Sequence, residues 1–252
     1  MRRFILLLAT VMFITYCQSL PLLDDKQVNQ MGVDTFQKIK AETPIEKDPK
    51  INQYVQCVAN HILSVAVDPT GVKEWEVVVF RSDMVNAFAL PGGKIGVYTG
   101  ILKVAKTQDQ LAAVIGHEVG HVIKRHGKQR IESHMIAAGS LKILEGTVVN
   151  NPAILGALGV GVQYGIILPF SRTQESEADT VGLELMAKAG FHPRGAIELW
   201  QNMKELSGPK VPEFLSTHPA PETRIKELQE KLPQALLIYE TVSKTKNVDC
   251  KV

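Results

Sequence analysis

Apolar residues recur every three to four positions over much of the chain, which is the spacing of amphipathic helices. The pattern predicts helices over residues 24–41 and 50–67, separated by the turn-like TPIEKDP, whose prolines discourage a continuous helix. The same spacing returns near the end of the chain in PRGAIELWQNMKEL and PETRIKELQEKL. We therefore expect helices to dominate the fold.

Three short runs interrupt the helical spacing and have the residue types of strands. WEVVVF at residues 75–80 is β-branched and short, and NAFAL and KIGVYTG flank Pro91, Gly92 and Gly93. The last two runs are typical of strands joined by a tight turn. The expected fold class is mainly α with a small β-sheet (α+β).

Two further helices place polar residues in apolar surroundings. One begins after Thr107, with Gln110 three residues later completing a capping-box pattern, and contains LAAVIGHEVGHVI. The other is SRTQESEADTVGLELMAKAG, which Gly190 ends as a C-cap before Pro193. The candidate chemistry lies on these two helices.

Length and charge limit the class of protein. The chain has 252 residues, with 28 Lys and Arg against 26 Asp and Glu. Because it has neither a basic block nor interleaved aromatic and basic residues, nucleic acid is not an expected partner. One well-buried domain is the expected organisation.

The first residues have the layout of an export signal. MRR precedes the apolar run FILLLATVMFITY, which is too short to cross a bilayer comfortably. Cys17 follows where a lipoprotein signal places its acylated cysteine, although Tyr16 stands where a small residue is usual. We expect residues 1–16 to be a signal peptide and Cys17 to anchor the protein to a bacterial envelope membrane. An uncleaved anchor, or cleavage a few residues later, is the alternative.

The two other cysteines, Cys57 and Cys250, are candidates for a disulfide bond in an exported protein. Cys57 lies off the apolar face of its helix, so it is available to meet Cys250. Such a bond would hold the polar tail SKTKNVDCKV against the domain. Two unpaired thiols are the alternative.

HEVGH places His117 and His121 four residues apart, with Glu118 between them. In a helix this spacing turns both imidazoles to one side, where they can share a cation. Zinc in such a site activates water, and Glu118 can accept the proton as water attacks a carbonyl. The motif predicts peptide hydrolysis; core histidines satisfied by neighbouring groups are the alternative.

A catalytic zinc needs a third protein ligand, and the later helix offers one. Glu175 and Asp179 are again four apart, so Glu175 can bind the metal while Asp179 accepts the far N–H of a ligand histidine. Glu177 lies about 160° further round the helix and is expected in solvent. His126 falls off the ligand face of the earlier helix, and we expect it at the surface.

These motifs together resemble a known family. HEVGH followed by SRTQESEAD, with MVNAFALPGGKIGVYTG before and STHPAPETR after, is similar to the HtpX and CAAX prenyl endopeptidase family of zinc metallopeptidases. The layout is closest to the periplasmic lipoprotein proteases of the BepA and LoiP type, and the similarity spans about residues 50–232. The resemblance implies a zincin-like fold and one Zn²⁺ per chain, held by His117, His121 and Glu175, with Asp179 as a catalytic residue.

The resemblance also implies roles for residues outside the two helices. His218 would occupy or gate the fourth zinc position or stabilise the oxyanion, and Arg224 would bind substrate near the metal. An extended peptide would add, by main-chain hydrogen bonds, to a strand edge formed by Asn86, Ala87, Phe88 and Ala89. A structural turn at His218 and an ordinary core strand are the alternatives.

An apolar segment over residues 153–170 approaches the length of a membrane span. Its four glycines and Gln163 weaken a helix in lipid, so we expect it to cover the cleft or touch a membrane surface. The expected organisation is a signal peptide (1–16), an N-terminal linker and helix (17–49), a zinc metallopeptidase domain (50–240) and a C-terminal tail (241–252).

The motif predicts zinc-dependent peptide hydrolysis, and the resemblance implies that the substrates are misfolded or misassembled proteins of the bacterial cell envelope, in the periplasm. The expected partners are polypeptide substrates and, through the lipid, a membrane. A chaperone-like assembly factor with latent or no proteolysis is the alternative, although a pure binding module has no need of Glu118.

The lipoprotein signal predicts that Cys17 is acylated. Cells grown with labelled palmitate should incorporate it into the wild type and lose it in Cys17→Ala, because the thiol is the acceptor. A wild type without label would contradict the expectation.

Overall fold

The computed structural model describes residues 23–137, 169–205, 213–219 and 221–251. The expected signal peptide, Cys17 and residues 153–168 of the apolar segment lie outside the described residues.

Helices account for most of the described chain, and one small sheet accompanies them. The helices are α1 (Asp25–Glu42), α2 (Pro49–Leu63), α3 (Gln108–Ile123), α4 (His126–Ala137), α5 (Arg172–Ala189), α6 (Arg194–Glu205), α7 (Glu213–Thr217) and α8 (Pro221–Ser243). The strands are β1 (Glu76–Phe80), β2 (Ala87–Leu90) and β3 (Lys94–Tyr98), followed by a 3₁₀ turn at Thr99–Lys103. The expected mainly α class with a small sheet is confirmed.

The sheet has the order β1-β3-β2. Strand β3 pairs parallel with β1 and antiparallel with β2, so β2 is an edge strand. The predicted tight turn joins β2 to β3, and Gly92 and Gly93 adopt φ angles of 80° and 72° there, which favour glycine. The edge strand lies against α3, which brings it to the candidate site.

Residues just outside the helices fix where the helices begin and end. Thr107 accepts a hydrogen bond from the Gln110 backbone, but the Gln110 side chain accepts from Lys106, so only half of the predicted capping box forms. Gly190 ends α5 with a φ of 93°, as predicted. Helix α2 ends at Leu63, earlier than predicted, and the Ser64 hydroxyl donates back to a carbonyl of its last turn.

Helix α3 is the centre of the main core. Every residue from Gln110 to Val122 is buried, because α2, α5, α6 and β2 surround the helix. A second core lies where α1 covers the sheet, and there the rings of Phe36, Phe80, Phe88 and Tyr98 pack with centroids 5.6–6.2 Å apart. The chain thus holds its polar motif inside the main core.

Helices α3 and α5 approach each other closely because small residues line their contact. A Cβ added at Gly120 would lie 2.8 Å from the Ala178 carbonyl oxygen, and one added at Gly182 would lie 2.8 Å from the His117 nitrogen. Gly116 faces Gly182 in the same way. We call this contact the glycine seam; it sets His117 and His121 opposite Glu175 and Asp179.

The C-terminal segment is tied to the domain at the start of α3. Cys57 of α2 and Cys250 form a disulfide, with Cα atoms 5.8 Å apart. The Gln108 side chain accepts from the Cys250 backbone at 2.8 Å and donates to the Val248 carbonyl at 2.9 Å. The tail therefore packs beside the first turn of the helix that carries HEVGH.

Over the described parts of the chain, each helix is either too short or too polar to serve as a membrane-crossing segment.

The glycine seam predicts that Gly182→Ala destabilises the fold. The added methyl group meets backbone, which cannot move aside cheaply, so we expect a loss of about 1–2 kcal/mol in the free energy of unfolding after the helix-propensity gain of alanine. Urea denaturation measures the loss. Glu184→Ala, exposed on the same helix, should change stability by less than about 0.5 kcal/mol. A Gly182→Ala protein as stable as the wild type would contradict the close approach.

Candidate metal centre

Six buried polar residues from three parts of the chain converge beside the glycine seam. Helix α3 contributes three, α5 two, and the segment that follows α7 contributes the last; each side chain is almost fully buried. They are His117, Glu118, His121, Glu175, Asp179 and His218. A cluster of this kind costs much free energy to bury unless its members are mutually compensated or bind an ion.

Four of these residues point donor atoms at a common centre. His117 Nε2 lies 3.0 Å from His121 Nε2 and 3.2 Å from His218 Nδ1. The Glu175 carboxylate lies 3.6 Å from His117 Nε2, 3.5 Å from His121 Nε2 and 3.0 Å from His218 Nδ1. These atoms form a group able to hold a metal ion.

The donor set fits zinc. In tetrahedral sites with bonds of about 2.0–2.1 Å, neighbouring ligand atoms lie about 3.3–3.4 Å apart. The distances of 3.0–3.6 Å among His117, His121, His218 and Glu175 bracket that value. Neutral imidazole nitrogens that face each other also need a proton or a cation between them. Nitrogen and carboxylate ligands are those that zinc prefers.

Burial keeps the two α3 histidines neutral. It lowers the pKa of His117 to about 4, with the Arg224 charge adding to the shift and Asp179 opposing it. Burial also lowers the pKa of His121 well below its ordinary value, and the neighbouring His117 and His218 add to this effect. A neutral imidazole keeps the lone pair that a metal needs.

Glu118 stands beside the donor group without joining it. Its Oε2 accepts from the Ala89 backbone of β2 at 3.3 Å, and its Oε1 lies 3.3 Å from His218 Nε2. Within the described residues, Oε1 accepts no hydrogen bond. Burial raises the pKa of Glu118 to about 7, with the Glu175 charge adding to the rise. A carboxylate with this pKa can take up and release a proton near neutral pH.

Asp179 supports His117 from behind. Its Oδ1 lies 3.0 Å from His117 Nδ1, the nitrogen that faces away from the donor group. Burial alone would raise the pKa of Asp179, but the Arg224 guanidinium and hydrogen bonds from Arg224 hold it far below its ordinary value. The ionised carboxylate accepts the Nδ1 proton and leaves Nε2 of His117 as the lone-pair nitrogen.

Arg224 has a different place from the one expected of a substrate-binding residue. It is buried, its Nε and Nη2 donate to Asp179 at 2.6 and 2.5 Å, and its Nη1 pairs with Glu175. The guanidinium also lies 3.7 Å from the centre of the Trp200 ring. Its donors are used inside the protein, so Arg224 holds two carboxylates of the site rather than substrate.

The expected substrate strand lies next to Glu118, but its side chains are buried. Asn86 precedes β2, and Ala87 and Ala89 face α3. Phe88 points to the opposite face of the sheet, into the core under α1. What the strand brings to the site is main chain, through the N–H of Ala89.

His126 is not a surface residue, which corrects the expectation from helical spacing. It is fully buried, and its Nδ1 lies 2.9 Å from Nδ1 of His121. Glu177 is exposed as expected, yet its carboxylate meets His126 Nε2 at 3.0 Å. Burial lowers the pKa of His126, with Glu177 opposing the shift. His126 would lie off the ligand face only in one continuous helix, whereas α3 ends at Ile123.

Phe170 is a further part of the site that the spacing did not indicate. Its ring packs 3.9 Å from the His121 ring and stacks on His218 at 5.3 Å. It also borders a cleft beside His121, whose other apolar walls include Val28, Ala89 and Pro91. Phe170 ends the apolar segment 153–170, so that segment reaches the site at its last residue.

Comparison with known proteins agrees with this geometry. Residues 49–232 match the profile described as peptidase family M48. The chain is 33% identical to the mitochondrial metalloendopeptidase OMA1 of Schizosaccharomyces pombe over 92% of its own length and 71% of the relative. It is 36% identical to OMA1 of Arabidopsis thaliana, over 79% of this chain and 39% of the relative. It is 28% identical to the beta-barrel assembly-enhancing protease of Yersinia pestis, over 81% of this chain and 43% of that protein.

The chain thus spans most of the fission-yeast relative but less than half of the other two.

The buried position of Arg224 predicts that Arg224→Met is strongly destabilising. The methionine keeps part of the packing on Trp200 but leaves Asp179 and Glu175 without their cation, so we expect a loss of about 3–5 kcal/mol at pH 7 in chelator-treated protein. The loss is measured by denaturant unfolding.

The effect should depend on pH in one direction. Because Arg224 depresses the pKa values of Asp179 and Glu175, its contribution is present above the ordinary carboxyl pKa of about 4 and is lost as pH falls below it. The difference between Arg224→Met and wild type should therefore shrink at low pH. Arg194→Met, at an exposed arginine, is the control; a similar loss there would contradict the assignment.

Proposed function

The chain belongs to peptidase family M48 and is a metalloprotease, and on this basis we propose that it is a zinc endopeptidase of the bacterial cell envelope. One observation carries the proposal. Glu118, which is not a member of the donor group and whose Oε1 accepts no hydrogen bond within the described residues, lies beside the four donors His117, His121, Glu175 and His218. A site that only stored a metal would have no use for that glutamate.

His117, His121 and Glu175 are the proposed zinc ligands. Their donor atoms come from two helices locked together by the glycine seam, and Asp179 orients His117 through its far nitrogen. When bound, zinc supplies a Lewis acid that polarises a peptide carbonyl and lowers the pKa of water. The remaining roles, proton transfer and stabilisation of the oxyanion, are proposed for protein side chains.

Glu118 is the proposed general base. It lies beside the donor group, and its raised pKa lets it accept a proton from water and pass that proton to the leaving amine. In this structure Glu118 Oε2 accepts a hydrogen bond from the Ala89 N–H. A substrate that pairs with β2 would compete for that N–H and release the carboxylate for proton transfer.

His218 is proposed to guard the fourth position of the metal site. Its Nδ1 lies as close to His117 and Glu175 as the ligand histidines lie to each other, and Nε2 faces Glu118. Its ring is held between Phe170 and Phe214. Turned away from the centre, the same ring would be placed to donate a hydrogen bond to a developing oxyanion.

Substrate is proposed to lie along the outer edge of β2, with main-chain hydrogen bonds to residues 86–89. Such pairing depends little on sequence and suits a protease that accepts many unfolded chains. The mostly apolar cleft beside His121 would take a side chain of the peptide. Arg224 has no part in this binding.

The cell envelope is proposed as the location, with misfolded or misassembled envelope proteins as substrates. The lipoprotein-like N-terminus with Cys17 supports it, and one relative is named a beta-barrel assembly-enhancing protease. The OMA1 relatives are named as mitochondrial, so family membership alone does not fix the compartment. A chaperone-like assembly factor remains the second candidate, favoured by the buried state of Glu118 and His218.

Hydrolysis of casein distinguishes the two candidates. Wild-type protein loaded with zinc should cleave it, and Glu118→Gln should lose at least about 100-fold in rate, because the base is removed while the ligands stay. Metal analysis should find equal zinc in both proteins, and chelation should abolish cleavage. Glu184→Gln, exposed on α5, is the matched control. A Glu118→Gln protein that cleaves like the wild type contradicts the mechanism, and a zinc-loaded wild type that suppresses aggregation without cleavage supports the chaperone.

A further inference from the structure

A chain of hydrogen bonds runs from the surface to His121, and the proposed reaction does not use it. His126 Nδ1 lies 2.9 Å from His121 Nδ1, and His126 Nε2 lies 3.0 Å from a Glu177 carboxylate oxygen. His126 is fully buried, whereas the Glu177 side chain is 47% exposed. One end of this chain is thus in water and the other is at a proposed metal ligand.

The carboxylate sets the direction of every hydrogen bond in the chain. An ionised carboxylate only accepts, so Nε2 of His126 must carry a proton. A neutral imidazole has a single N–H, so Nδ1 of His126 is an acceptor and the facing Nδ1 of His121 is the donor. His121 then has its only proton on Nδ1, and its Nε2 lone pair points at His117 and Glu175.

We propose that His126 and Glu177 are positioning residues that hold His121 as the Nδ1–H tautomer, in a fixed ring orientation, ready to bind the metal through Nε2. The inference rests on the proposed zinc site. It gives the two α3 ligands different supports: His117 faces the carboxylate of Asp179 directly, and His121 reaches a carboxylate through a second ring.

The backbone is built to make this contact. In a continuous helix, His126 would lie about 140° around the axis from His121. Arg125 breaks the helix with a φ of 56°, a left-handed conformation that is uncommon for a residue with a side chain. Its guanidinium is held by Asp25 at 2.9–3.2 Å and by the Pro69 carbonyl at 2.9 Å. These contacts stabilise the turn that returns His126 to the ligand face.

Zinc affinity of the full-length protein tests the proposal, measured by competition with a chromophoric chelator. His126→Ala leaves the His121 N–H without its acceptor and should weaken zinc binding by about 10–100-fold. His126→Asn, whose side-chain oxygen can stand near the place of Nδ1, should recover part of that loss. A role in packing alone would not distinguish these two variants by metal affinity.

Glu177→Gln tests the positioning role with less risk to folding, because the Glu177 side chain is half exposed. A glutamine can donate as well as accept, so it no longer dictates the tautomer of His126. We expect weaker zinc binding, by about 3–10-fold, and an altered visible spectrum of the Co²⁺-substituted protein. Glu184→Gln on the same helix should match the wild type in both measurements.

The outcomes separate this proposal from the one it rests on. Wild-type protein that binds zinc, with Glu177→Gln and both His126 variants unchanged in affinity and in Co²⁺ spectrum, would overturn the positioning role alone. Wild-type protein unable to retain zinc would overturn the metal site and the positioning role together. Graded losses in the order His126→Ala, His126→Asn and Glu177→Gln, with Glu184→Gln unaffected, support it.

Discussion

The close crossing of α3 and α5 is the constraint on which the candidate metal centre depends. Each helix carries only part of the donor set, so the backbones must approach until imidazoles and carboxylates meet. Gly116, Gly120 and Gly182 provide that approach, because a single methyl group at any of them would press on the opposite backbone. Gly120, the glycine inside HEVGH, is therefore needed for the close approach of the helices, just as the histidines are needed as ligands.

Burial of the site sets the electrostatics of its members. Removal from water favours the neutral form of each group, and the pKa values of His117, His121 and Glu118 shift in that direction. Asp179 and Glu175 do not, because Arg224 lies against both and holds their pKa values down. The result is that the imidazoles of His117 and His121 are neutral beside ionised carboxylates, which is the protonation state that a zinc ion requires of its ligands.

Two features of the surrounding fold border the site. One is the main-chain edge of β2, whose Ala89 N–H reaches Glu118; the other is the cleft beside His121 bounded by Phe170. Helix α1 closes the far side of the sheet and reaches the turn after α3 through Asp25 and Arg125. The proposed substrate path along β2 and the carboxylates of α5 both lie on elements that contact α3. This single buried helix therefore fixes the positions of the base, the ligands and the substrate path relative to one another.

Local sequence patterns determined much of the protein. The three strands, the glycine turn, the C-cap at Gly190 and the pairing of histidines and carboxylates at four-residue spacing all follow from interactions within one element, which the order of residues encodes directly. The places of Arg224, His126 and Phe170 did not follow, because each depends on contacts with residues distant in the chain. Arg224 pairs with carboxylates 45 and 49 residues earlier, and His126 meets His121 only through the left-handed turn at Arg125, which is held by Asp25 on another helix. Spacing along one helix decides which side chains share a face, whereas only the packed tertiary structure decides where one helix stops and what lies opposite it.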